Sequence, residues 1–237
     1  MYDAPVDERK EGHYNLGNDF YYKTLPVFLI GLIIWVGSTI GFSGLVGPVI
    51  IPLTVGFIIF LLIIYIVLWI VTVILALKRQ NILSMVIFFF ASLVSGMLNS
   101  TLLIWASSIF RLEIVLGLFF IAFLVGFLVT LGLLIMGLLF RDKISIKWIY
   151  PLLLFGGILI ILEISLILIF GYNPILIITS ILVLIWLFGV ILWDGSRLPQ
   201  TVSEGYWMLA VINIFLDMIN VIIRIFIILI EIFSESS

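Results

Sequence analysis

The chain has 237 residues, 65% of them hydrophobic and 10% charged, with a mean hydropathy of +1.43. Soluble domains are about 45–50% apolar and about 25% charged, so this composition excludes a soluble enzyme, a nucleic-acid binder and a disordered scaffold, and specifies an integral membrane protein. The net charge of -2 is too small to imply an ionic partner. The lack of cysteine excludes disulfides and thiolate chemistry, and the only histidine, His13, lies in a polar stretch, so no imidazole dyad or metal cluster forms in the membrane.

Residues 1–24 read as a polar N-terminal tail carrying both signs of charge, from Asp3 to Lys23. A secretory signal starts basic and turns apolar, whereas this segment starts acidic and stays polar, so it is expected to be retained. From Thr24 to Leu77 there follow 54 residues without a charge. As one helix they would run about 81 Å against a hydrocarbon core of about 30 Å, so the stretch must fold back. Gly41, Ser43, Gly44, Gly47-Pro48 and Pro52 supply the turn signal. This predicts helix one over about 25–42 and helix two over about 51–77.

Lys78 and Arg79 end helix two, and the uncharged run Gln80–Phe110 is helix three. Arg111 and Glu113 mark a loop before helix four, Ile114–Phe140. Arg141, Asp142, Lys143 and Lys147 form a charged turn. Helix five is expected from about Trp148 to Phe170, helix six from about Ile175 to Trp193, then a loop over Asp194–Glu204, and helix seven from about Gly205 to Phe233. The expected architecture is all-α: one seven-span transmembrane domain over 25–233, a short C-terminal tail over 234–237, and no internal repeat. No cofactor is expected.

The basic residues orient these spans. Arg9, Lys10, Lys23, Lys78, Arg79, Arg141, Lys143, Lys147 and Arg197 fall on one side and only Arg111 on the other, with Arg224 inside helix seven. The excess of Lys and Arg marks the cytoplasmic face. That places the N-terminus inside and the C-terminus outside, in the cell membrane if the source is prokaryotic. Trp105, Trp148, Trp193 and Trp207 fall near expected span ends, as an aromatic belt requires.

An intramembrane carboxylate costs roughly 2.5–3.5 kcal/mol on insertion scales and marks function by default. Helix seven carries Asn213, Asp217, Asn220, Arg224 and Glu231, with spacings that line one helical face. The bland reading pairs Asp217 with Arg224 as a packing salt bridge. Glu163 in helix five either pairs with Arg224, joins a proton path, or stays neutral and hydrogen-bonded. Glu231 lies near a helix end and can snorkel.

The run FLDMINVI, Phe215–Ile222, resembles the LDIINLF-like motif that closes proteins of the Bax inhibitor-1 family. ILWD, Ile191–Asp194, resembles that family's segment at the end of helix six. FYYKT (Phe20–Thr24), Ser95-Gly96 and RDK (Arg141–Lys143) resemble further family positions in the same order. The chain departs from the family where Gly195 and Ser196 replace the usual Thr-Gln, and where Arg224 stands within helix seven.

The resemblance implies a bundle with helix seven at its centre, and Asp194 and Asp217 as a proton-sensitive pair that controls a calcium leak. Asn213, Asn220 and Arg224 would form the supporting polar face, and Lys78 or Arg79 a latch on the ionised pair. Two adjacent carboxylates in a low-dielectric site cannot both ionise cheaply and so titrate as a unit. Sharing one proton favours closed packing. Losing it leaves repelling charges that attract a hard cation, a transient calcium site on Asp194 and Asp217. Calcium, protons and the lipid bilayer are the implied partners, with a monomer favoured over an oligomer.

A different reading is a regulator of cell death or of membrane proteases that binds partner membrane proteins without conducting ions. An intramembrane aspartyl protease of the presenilin type is more remote. That family needs Gly-x-Gly-Asp, where this chain has Ile214, Phe215 and Leu216 before Asp217, and a Pro-Ala-Leu segment, which is absent. A retinal-binding protein fails because helix seven has no lysine, and a rhomboid-type protease fails for want of a membrane histidine. The protein is therefore not expected to be an enzyme.

Overall fold

The computed structural model describes residues 18–46, 55–144, 147, 150–152, 154–159 and 175–235. They form an all-α polytopic bundle. Helix α1 spans Leu25–Val46, α2 Val55–Leu77, α3 Asn81–Ile109 and α4 Leu112–Leu139. A short helical stretch, α5, covers Tyr150–Leu159. Helix α6 spans Ile175–Ser203 and α7 Trp207–Glu235. Six helices are long and apolar enough to cross a membrane. The fifth expected span is described only over α5, and its remainder, Glu163 included, lies outside the described residues.

Three boundaries differ from the sequence reading. Asn18 and Asp19 are helical and Phe20–Thr24 form a π-helical turn leading into α1, so helix begins inside the segment assigned to the tail. Gly41, Ser43 and Gly44, expected to turn, lie within α1; the other turn residues, 47–54, lie outside the described residues. The largest difference is at α6. The expected loop Asp194–Glu204 is helical through Ser203, with Pro199 inside it. This also moves Trp193 from a helix end to the interior of α6.

Small residues explain how the helices approach. Inside lipid there is little hydrophobic drive between helices, so close backbone packing and hydrogen bonds hold them together. The buried face of α3 is Ser84, Ala91, Ser92, Ser95, Gly96, Ser100 and Ala106, interspersed with Phe88 and Leu103. A Cβ at Gly96 would lie 2.5 Å from the Trp35 carbonyl oxygen of α1. Ser84 Oγ donates to the Thr72 carbonyl of α2 at 2.9 Å. The α4–α6 crossing is glycine on glycine: a Cβ at Gly195 would stand 2.6 Å from the Leu134 carbonyl oxygen, and one at Gly137 would stand 3.0 Å from Gly195 Cα. The large exposed side chains, such as Phe60 and Ile63 of α2 and Phe120 and Leu128 of α4, face outward as a bilayer requires.

Helix α7 is central, packing against α6, α4, α1, α3 and α2. In its most apolar stretch 56% of positions are buried, against 33% or fewer in each of the other long helices. Phe215 anchors it, with ring centroids 4.9 Å from Phe88 and 5.8 Å from Trp69.

Two turns interlock at one end of the bundle. Helix α2 stops in a Schellman turn, with Gln80 N donating to the Leu75 carbonyl, Arg79 N to the Ala76 carbonyl, and Arg79 left-handed at φ 58°. Helix α6 stops the same way at Gly205, φ 85°, with Tyr206 N donating to the Thr201 carbonyl. Arg79 stacks over the Tyr206 ring at 4.7 Å, and Asn81 Nδ2 donates to the Gly205 carbonyl at 3.3 Å. The α2–α3 and α6–α7 turns therefore share an end, and by the alternation of α1 to α4 that end also holds the start of α1 and the close of α4. Lys23, Lys78, Arg79, Arg141 and Lys143 gather there. Helix α7 runs away from that end, so its last residues lie at the opposite end of the bundle. A reporter fused after Ser237 is expected to behave as external and one at the N-terminus as cytoplasmic; matching signals from both ends would mean an even number of spans.

Candidate functional site

The extension of α6 sets the site. Asp194 lies nine residues before the end of α6 and Asp217 ten residues after the start of α7. At about 1.5 Å per residue these are about 14 Å and 15 Å from the turn that joins the helices. The two carboxyls thus stand at one depth on facing helices, within hydrogen-bonding reach of each other. A helix ending at Trp193 would have left Asp194 at the bundle surface, about three helical turns away from Asp217.

Asn213, one turn before Asp217, donates from Nδ2 to Asp194 Oδ1 at a long 3.5 Å. Asp217 is buried at 7% exposure, and its Oδ2 has no hydrogen-bond partner among the described residues. Two carboxyls hydrogen-bond to each other only when at least one carries a proton, because ionised carboxylate oxygens only accept. Burial of Asp217 in the packed bundle makes a second charge at this position costly.

Asp194 borders a cavity of about 300 Å³ between the second half of α6 and the first half of α7. Asp194 and Asn213 line it, together with Arg197, Gln200, Thr201 and Glu204. Arg197 Nη1 donates to Gln200 Oε1 at 3.2 Å, and Gln200 Nε2 donates to Glu204 Oε1 at 2.8 Å. The Arg197 guanidinium also lies over the Trp193 ring, 5.8 Å from its centroid. A hydrogen-bonded polar ladder thus climbs α6 from the pair toward the helix end. These rim residues escaped the sequence reading because their segment reads as loop. Their spacing of three and then four residues, 197, 200 and 204, is the helical signal that finds them.

The other singled-out residues are dispersed. Asn220 is exposed, although helical periodicity puts it on the face of Asn213 and Asp217. Arg224 is half-buried two turns beyond Asp217, and no ion pair joins the two among the described residues. The structure therefore does not supply the Asp217–Arg224 salt bridge of the bland reading. Arg79 is docked on Tyr206, and neither it nor Lys78 is ion-paired to either aspartate. Ser95 and Gly96 are buried on the face of α3, where Gly96 packs against α1.

As a cation site the pair offers carboxylate oxygens and the nearby Asn213 amide. Calcium takes six to eight oxygens, so water would have to complete the shell. No group of three or more His, Cys, Asp or Glu side chains gathers elsewhere among the described residues. Compared with family models and with curated proteins, the chain matches none.

Proposed function

We propose that this protein is a pH-sensitive calcium leak pathway of the Bax inhibitor-1 type, gated by the proton shared between Asp194 and Asp217. The observation that carries the reading is the placement of the two aspartates at one depth on facing helices, with Asp194 lining a cavity toward the end of the bundle where basic residues gather. The proposed orientation puts that end in the cytoplasm.

With one proton the pair is a hydrogen bond holding α6 to α7, and the pathway is closed. Losing it replaces attraction by repulsion between like charges in a medium that screens them poorly. The helices part, and the same two carboxylates recruit a hard cation from the cavity. Flux should therefore rise as the cavity side becomes more alkaline. Around the pair, Arg197 and Glu204 of α6 and Arg224 of α7 are the other charged groups, while α1 to α4 carry only Glu113, at the far end of α4.

The test is calcium entry into dye-loaded liposomes that contain this protein alone. Flux that rises with pH is the expected result. Well-folded protein with no flux at any pH would shift the function to partner binding.

A further inference from the structure

A second cavity, of about 410 Å³, opens between α5 and α6. Its walls are apolar: Pro151, Leu152 and Phe155 from α5, Leu192 and Trp193 from α6. Gly189 makes the room, since a side chain there would run into Leu152, 2.8 Å from its Cβ position. One turn deeper, Trp186 Nε1 donates to the Leu152 carbonyl at 2.8 Å and the indole packs on Gly156, which pins α5 to α6. The space is therefore framed by a fixed contact.

Lys143 lines the outer part of this groove. It belongs to the turn that closes α4, at the basic end of the bundle, where the lipid headgroups of that leaflet lie. It is exposed and has no ion-pair partner among the described residues. An apolar slot facing the bilayer with an ammonium at headgroup level fits a molecule with a hydrocarbon chain and an anionic head.

We propose that the α5–α6 groove is a binding site for an anionic phospholipid, its acyl chain between Leu152, Phe155 and Leu192 and its phosphate on Lys143. Trp193 makes the site consequential. Trp193 borders both this groove and the cavity of Asp194, so an occupant bears on the wall next to that carboxyl. The binding proposal itself stands apart from the calcium reading and is tested without it.

The full chain in detergent is titrated with phosphatidylglycerol or with phosphatidylcholine of the same acyl chains, and retained lipid is counted by native mass spectrometry. Wild-type protein should retain phosphatidylglycerol about fivefold more strongly, the worth of one basic contact at a membrane surface. Lys143→Gln, in an exposed turn that leaves the bundle intact, should erase that preference. Gly189→Leu should fill the slot and lose the retained lipid of either kind. Equal retention of the two lipids by the wild type, or an unchanged preference in Lys143→Gln, would overturn the proposal.

Discussion

Asp217→Asn is expected to abolish the pH dependence of calcium flux and leave the pathway near its closed level from about pH 5 to pH 8, the span over which a shared carboxylate proton is lost. A gate that opens on release of one proton changes its open population by about tenfold per pH unit. The asparagine keeps the shape of Asp217 and can still donate to Asp194, but it cannot charge. The repulsion that parts α6 from α7 is then missing at every pH. Asp194→Asn removes the same repulsion from the other side and should give the same flat profile, under about twofold across the range. The double variant should add little, since coupled carboxylates titrate as one unit and their effects are not additive. A Glu204→Gln variant controls for the rim charge and should keep the wild-type slope. The idea fails if either single aspartate variant, shown to be folded, keeps the wild-type slope.

Gly137→Val and Gly195→Val should each destabilise the bundle strongly. A Cβ at Gly195 would meet the Leu134 carbonyl oxygen and Cα, and one at Gly137 would meet the backbone of Leu192, Gly195 and Ser196. These are backbone atoms of packed helices, so they cannot swing aside as a side-chain tip can. Overpacking in a well-ordered core costs about 1–3 kcal/mol, and a crossing built on backbone contact belongs at the upper end. Gly132, on the same helix with nothing within 4 Å of its Cβ position, is the control. Gly132→Val should change little. Thermal unfolding in detergent, followed by helical circular dichroism, reads the difference, and equal melting temperatures for Gly137→Val and Gly132→Val would refute the crossing. Because Gly195 follows Asp194 directly, the Gly195→Val protein should also lose the pH-gated flux.

The membrane spans were legible because composition alone forces them. Charge-free runs bounded by Lys, Arg and Glu placed α2, α3 and α4 within a few residues, and the apolar stretch after the polar segment 194–204 placed α7 as closely. The end of α6 was not legible. Gly195, Ser196, Pro199 and Ser203 are turn-forming residues by local preference, yet here they continue a helix. Proline removes one backbone donor, and packing outweighs that loss where Gly195 lets α6 lie against α4. The two aspartates were legible as candidates and the resemblance paired them, but the residues themselves did not bring them to one depth, since that depends on the extension of α6. Periodicity grouped Asn220 with Asp217, but it cannot tell which part of a face a neighbouring helix covers. The stacking of Arg79 on Tyr206 joins residues more than a hundred positions apart through two turns, and nothing local in the sequence announces it.

The interlocked turns make α6 and α7 a pair of levers with a common fulcrum. Arg79 on Tyr206 and Asn81 on Gly205 tether the joint between them to the end of α2 and the start of α3. Any relative tilt of the two helices would be restricted near the joint and would grow along their length. With the carboxyls about 14 Å out, a tilt of about 10° separates them by about 2.4 Å, enough to break a hydrogen bond. The Arg197–Gln200–Glu204 ladder lies between joint and carboxyls on one arm, α6, and would ride with it unbroken. In the proposed mechanism a single short arc at the fulcrum end would become a full opening at the level of the proton, and loosening the joint would blunt the gate without touching either aspartate.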